Sequence, residues 1–131
     1  MRTTRRAALL VIGHGSRARA ANALLRDVAR RLRGRFPGRI VEACFLEVSR
    51  PDVPSGIEAC VRKGATRILL VPYFLYSGGH VGRDLPLLAA RARRDHAGVS
   101  VRIAPPLGGD ERLVSVAADR ARRGLRSSRW T

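Results

Sequence analysis

At 131 residues the chain is long enough for one domain with a proper core and too short for two. With 45% hydrophobic and 27% charged residues it has the balance of a soluble globular protein, which sets disorder aside, and no apolar run approaches the roughly 20 residues of a membrane helix. The net charge of +16 is almost wholly arginine, since Lys63 is the only lysine. A genome-wide preference for arginine is the plain reading of that skew; a nucleic acid or a polyanionic small substrate is the functional one. The arginines spread along every predicted helix, and no helix-turn-helix, zinc-finger or RNA-binding sheet motif accompanies them, so no nucleic acid is expected as a partner.

Arg2, Arg5 and Arg6 ahead of an apolar run resemble the start of a signal peptide. The run Ala7 to Ile12 is shorter than an h-region, however, and Gly13-His14-Gly15 follows without a cleavage site. The segment therefore reads as a first strand with a basic leader, and the protein as cytoplasmic, with no membrane partner. Ser16 is the expected N-cap of helix one, in which Ala21, Leu24, Leu25, Val28 and Leu32 recur at helical spacing and which Gly34 ends. Phe36-Pro37-Gly38 turns into strand two, Ile40 to Leu46, with Glu47 at its carboxyl end. Asp52 or Ser55 caps helix two, whose stripe is Val53, Ile57, Cys60 and Val61 and which Gly64 closes. Cys44 and Cys60, fifteen residues apart, lack metal-site spacing and read as core packing.

Strand three runs from Arg67 to about Val71 and is apolar on both faces, as a central parallel strand is. Pro72 and then Gly78-Gly79 end the pairing and open a flexible loop that carries His80. Asp84 is expected to cap helix three, with Pro86 in its first turn; the helix runs to about His96 and Gly98 stops it. Strand four is Val99 to Ala104, ended by Pro105-Pro106. Gly108-Gly109-Asp110 leads into helix four, with Leu113, Val114, Ala117 and Ala121 expected to face inward. Residues 1–124 form the single domain, and 125–131 a basic, loose tail.

Four strands alternating with four helices predict an α/β, flavodoxin-like three-layer domain: a parallel sheet, order 2-1-3-4, with helices on both faces. In such sheets ligands bind beyond the carboxyl ends of the strands, where the strand order reverses. That rule gathers His14, His80 and Glu47 at one mouth of the sheet. Singly each has a plain reading: a hydrogen-bonded strand-end histidine, or a glutamate paired with Arg17 or Arg50. Gly13 and Gly15 serve a tight turn or cradle a phosphate, although no P-loop lysine or third glycine follows. Tyr73, Phe74 and Tyr76 pack the loop or line a flat apolar ligand. Two imidazoles and a carboxylate without cysteine suit a loosely held divalent metal in transit, and imidazole nitrogens also accept protons. Metal insertion into a nitrogen macrocycle joins these chemistries.

Three blocks then carry a family resemblance: Leu10-Val11-Ile12-Gly13-His14-Gly15-Ser16-Arg17; Phe45-Leu46-Glu47 with Pro51; and Val71-Pro72-Tyr73-Phe74-Leu75 with Gly79-His80 and Asp84-Leu85-Pro86. Together they resemble the short form of the class II chelatases, the sirohydrochlorin cobaltochelatase/ferrochelatase family, over roughly residues 7 to 124. The resemblance implies ATP-independent insertion of Co2+ or Fe2+ into sirohydrochlorin, in cobalamin or siroheme synthesis. It gives His14 and His80 metal binding and proton removal, with Glu47 assisting, and no cofactor beyond the metal substrate; side-chain types do not exclude Ni2+. The substrate-binding candidates are Ser16, Arg17, Tyr73, Tyr76, Gly78, Gly79 and Arg83. Longer members hold two such lobes, so this chain, with one, is expected to act as a homodimer or as one half of a longer or split enzyme. A metal or tetrapyrrole carrier that performs no insertion is the alternative reading.

Overall fold

The computed structural model describes residues 6–130, with His80 by its backbone; the arginines of the basic leader at positions 2 and 5 lie outside the described residues, as does Thr131 at the end of the tail. Eight elements alternate: β1 (Ala7–Gly13), α1 (Arg19–Arg35), β2 (Ile40–Phe45), α2 (Val53–Arg62), β3 (Arg67–Pro72), α3 (Gly79–Asp95), β4 (Ser100–Ile103) and α4 (Glu111–Arg126). The strands form one parallel sheet in the order β2-β1-β3-β4, the predicted order. β1 pairs with β2 from Ala8↔Ile40 to Gly13↔Phe45, and with β3 from Ala7↔Arg67 to Ile12↔Pro72. β4 pairs with β3 from Arg67↔Ser100 to Leu70↔Ile103 and forms the far edge.

β1 and β3 are central, which explains why their sequences are apolar on both alternating faces. On one face Leu10, Ile12 and Leu70 pack with Val53, Ile57 and Cys60 of α2 and with Leu85, Ala89 and Ala92 of α3. Each large side chain fully buried there contributes about 1.5–3 kcal/mol. On the other face Leu9, Val11, Val41 and Phe45 meet Leu25 and Ala29 of α1. Both cysteines are free and fully buried in the core. Burial pushes the Cys60 thiol up to about 12 and the Cys44 thiol higher still, so both stay protonated at neutral pH. The core-packing reading of the pair holds.

Several expected boundaries move. α1 starts at Arg19 behind Ala18 as N-cap; the Ser16 hydroxyl instead accepts from the Ala18 amide at 3.0 Å, a local turn ahead of the helix. Gly34 lies inside α1, which ends at Phe36 as C-cap. Asp52 caps α2, taking the Ser55 amide at 2.9 Å. α3 starts five residues before Asp84, with Gly78 as N-cap; glycine caps at little cost, so the acidic side chain was not needed. Pro86 therefore falls inside α3, where it has no N–H to donate to Gly82, and Gly82 is exposed.

α4 differs most from expectation. It extends through Gly124 to Arg126, so the first residues assigned to a loose tail are helical. None of its residues is buried: Val114 is 53% and Leu125 is 68% exposed, and Ala117 and Ala121 are exposed too. The helix has no extensive packing with another element, and of the four residues expected to face inward Leu113 is half-buried while Val114, Ala117 and Ala121 are exposed.

Candidate active site

The carboxyl end of β1 carries His14, and its position is fixed by backbone bonds that extend the β1–β2 ladder beyond the strands. The Leu46 amide donates to the Gly13 carbonyl at 2.9 Å, and the Glu47 amide to the His14 carbonyl at 3.1 Å. His14 and Glu47 are thereby neighbours across two loops, both exposed at the mouth of the sheet. Gly15 makes this approach possible. Its φ is +93°, and a Cβ there would lie 1.8 Å from the Glu47 carbonyl oxygen, so no other residue fits.

A side-chain latch closes behind them. The Asn22 amide nitrogen donates to the Ser16 carbonyl and to the Ser49 hydroxyl, each at 2.7 Å, while its oxygen accepts from the Ser16 amide at 3.0 Å. The Ser49 hydroxyl in turn donates to the Ser16 carbonyl at 2.9 Å. α1, the β1 loop and the β2 loop are thus tied at one point. Between Glu47 and Ser49 the chain makes a γ-turn: the Ser49 amide donates to the Glu47 carbonyl at 2.7 Å, and Val48 sits at φ 70°. A β-branched residue there carries strain on the order of 1–3 kcal/mol, held by the bonds on both sides.

β3 leads to the second histidine, which the structure places in α3 rather than in the loop expected to carry it. The Tyr73 amide donates to the Ile12 carbonyl at 2.8 Å, and the Phe74 ring meets the His14 imidazole, with centroids 4.8 Å apart and planes tilted by 44°. Gly78 then caps α3, and His80 is the second residue of that helix. Its backbone therefore stands at a helix N-terminus, beyond the carboxyl end of β3. Gly79 has φ +55° with open space around its Cβ position.

A cleft of about 270 Å³ opens beside His14, lined by Gly15, Ser16, Asn22, Leu24, Phe45 and Tyr73. Of the expected substrate-binding residues, Ser16 and Tyr73 line it, although the Ser16 amide and carbonyl are already engaged in the latch. Arg17 is exposed beside it, and Arg83 is exposed on α3. Tyr76, 76% exposed, is not among the residues of this cleft; it belongs to an open apolar surface that continues along Leu75 and the first turns of α4. No ion pair joins Glu47 to Arg17 or Arg50 among the described residues, where no three His, Cys, Asp or Glu side chains form a metal-sized group.

Sequence reading passed over Asn22 and Ser49, which look like ordinary surface positions in a helix and a turn. An asparagine on the first turn of a helix that follows a Gly-His-Gly-Ser loop was the only available signal. Phe74, expected either to pack the loop or to line a flat apolar ligand, contacts the site histidine directly.

A parallel α/β domain with a histidine pinned at its topological switch point defines a class of strand-end ligand sites. The CbiX family model matches residues 8–124, and the chain belongs to that family. The chain is 33% identical over 112 residues to the chloroplastic sirohydrochlorin ferrochelatase of Arabidopsis thaliana, covering 86% of this chain and 50% of that protein. Over 138 residues it is 30% identical to the sirohydrochlorin cobaltochelatase of Methanocaldococcus jannaschii, covering 87% and 96%. Among solved structures, the sirohydrochlorin chelatase SirB from Bacillus subtilis subspecies spizizenii, in complex with cobalt, superposes with a TM-score of 0.84 at 31% identity. That alignment covers 90% of this chain and 50% of SirB. The chain thus spans about half the length of the plant and bacillar relatives and nearly all of the archaeal one. No helix among the described residues is long and apolar enough to cross a membrane.

Proposed function

We propose that this protein inserts Co2+ or Fe2+ into sirohydrochlorin without ATP, with the macrocycle lying against the carboxyl edge of the sheet. The observation that carries the reading is the pinned His14 beside Glu47, at the switch point of a domain belonging to a chelatase family. A neutral imidazole at His14 offers one nitrogen to the incoming metal or to a ring proton; His80, at the start of α3, supplies the second. Glu47 stabilises the imidazolium that forms or gives the metal an oxygen ligand. Metal is a substrate here, so a sparse, exposed donor set suits its release.

The +16 charge supports the same substrate, because a macrocycle bearing many carboxylates is drawn to a basic surface. Arg17 and Arg50 stand exposed on the two loops that flank His14, and Arg83 on α3. Leu24 and Tyr73, 61% and 38% exposed at the cleft, offer apolar surface to a flat ring. A cytoplasmic homodimer belongs to the same proposal. The bacillar and plant relatives are about twice this length, so one copy supplies about half of what they contain.

The test is the absorbance change of sirohydrochlorin with Co2+ or Fe2+, with and without the protein. Conversion is expected to accelerate, and to fall by about 10²–10⁴-fold in His14→Ala and in His80→Ala, the range of a positioned acid–base group. Tight binding of metal or macrocycle with no acceleration by Co2+, Fe2+ or Ni2+ would replace the enzyme with a carrier.

A further inference from the structure

The backbone bonds that pin His14 fix its main chain and leave the imidazole two torsions in which to turn. Metal-binding imidazoles are usually aimed by a hydrogen bond from the second ring nitrogen to a carboxylate, a carbonyl or water. Among the described residues the His14 ring makes no such bond, and its ring contact is with Phe74. The centroids stand 4.8 Å apart with the planes tilted by 44°, within the range of roughly 4.5–7 Å that aromatic pairs prefer.

Phe74 is held where it can act as a wall. It is half-buried and packs against the core on the α2 and α3 face, as does Leu46 from the β2 loop. The cleft beside His14 opens on the other side: Ala21, Asn22 and Leu24 reach it from α1, and Tyr73 lines it too. Successive side chains of an extended chain point to opposite faces, so Tyr73 stands at the cleft and Phe74 behind the imidazole. The main chain here is tied on both sides. The Tyr73 amide donates to the Ile12 carbonyl at 2.8 Å, and the Phe74 carbonyl accepts from the Leu107 amide at 2.9 Å. The Leu75 carbonyl accepts from the Gly108 amide at 2.6 Å, and a Cβ on Gly108 would lie 2.1 Å from that oxygen. Only glycine fits this crossing.

We propose that Phe74 is a positioning residue for the reaction: its ring backs the His14 imidazole and keeps it turned toward the cleft. This rests on the metal-insertion reading of the site, and Phe74 itself touches neither metal nor macrocycle. Without the ring, the imidazole is free to turn over the α2 and α3 face, where its nitrogens point away from the cleft. An aromatic pair biases such a rotor by about 2- to 10-fold, and that is the fall in kcat its loss should cause. KM should stay the same, because Leu24, Tyr73 and the arginines around the cleft are untouched.

The test compares the full-length chain with Phe74→Leu, Phe74→Tyr and a control, Leu88→Ala. Leu88 is half-buried against the same core and lies outside the cleft, so its truncation weakens the fold alone. The chain has three histidines, and the imidazole proton NMR signals of His14 are those missing from His14→Ala. A nuclear Overhauser contact between the His14 and Phe74 rings is expected in the native chain. At matched pH the His14 signals should lose their ring-current shift in Phe74→Leu and keep it in Phe74→Tyr. With sirohydrochlorin and Co2+, kcat should fall about 2- to 10-fold in Phe74→Leu at constant KM, recover in Phe74→Tyr and hold in Leu88→Ala. His14 signals that Phe74→Leu does not move overturn the proposal. So does a loss of kcat no larger than that of Leu88→Ala, or a rise in KM that matches the fall in kcat. If the native chain accelerates no insertion, the chelatase reading fails instead, and the NMR signals alone decide whether Phe74 aims the ring.

Discussion

The two loops that lead to the histidines, His14 within the first and His80 on the helix that follows the second, are built in opposite ways. The loop after β1 is closed by two ladder bonds, a glycine that admits no Cβ and the Asn22 latch. Among the described residues the loop after β3 is tied at its start, through Tyr73, Phe74 and Leu75, and then runs exposed across Tyr76, Ser77 and Gly78 into α3. His14 is therefore placed before any ligand arrives, by bonds that ask nothing of the substrate. His80 is placed by where a helix starts, and that start rests on glycines. Under the proposed metal insertion, His14 would be a donor already in place when the macrocycle arrives.

The largest expected effect that separates the loops is at Gly15. Gly15→Ala combines a backbone clash with a left-handed φ and should cost more than about 4 kcal/mol, read as a collapse of the urea midpoint. Gly79→Ala meets open space, so it should cost only the left-handed penalty of about 1–2 kcal/mol. If the two substitutions cost the same, the contrast between the loops is wrong. Next in size is Asn22→Ala, which orphans the Ser16 amide and loosens the Ser49 hydroxyl. A loss of about 1–3 kcal/mol is expected, with kcat for metal insertion falling more than KM rises, because His14 is displaced and the apolar cleft is not. Equal changes in both would assign Asn22 to stability alone.

The smallest effect lies on the far side of the β2 loop. Asp52→Ala removes the cap of α2 and should cost about 1 kcal/mol. Hydrogen bonding from Ser55, aided by Arg50 and Arg91, lowers the Asp52 carboxyl below its usual value. A lowered folded pKa means stability that is present above the unfolded value of about 3.9 and lost as pH falls through the folded one. The gap between the native protein and the variant should therefore begin to close below about pH 4 and vanish only in acid below the lowered folded value. Divergence there would show that Asp52 acts otherwise than as a charged cap.

The sheet order, the central strands and the clustering of His14 with Glu47 were legible because they follow from apolar runs and from the topology of crossovers. Asp52 was legible as one of two candidate caps, with Ser55, and the structure gives it the Ser55 amide. Asp84 misled for a physical reason: an acid before an apolar helix is a good cap signal, but Gly78 already served and the helix began earlier. The Asn22–Ser49 latch spans 27 positions, and no local pattern encodes a pair at that distance. α4 was misread most fully. Its apolar periodicity announces a buried face, and in the structure that face is largely exposed.

The root of α4 joins these regions mechanically. Leu107 and Gly108 are bonded to Phe74 and Leu75, and Phe74 rests against the His14 ring. A pull on α4 is thus a pull on the chain that leads to His80, and on a ring that touches His14. Freeing the Leu107–Gly108 crossing would therefore reach His14 through Phe74, although neither residue lines the cleft.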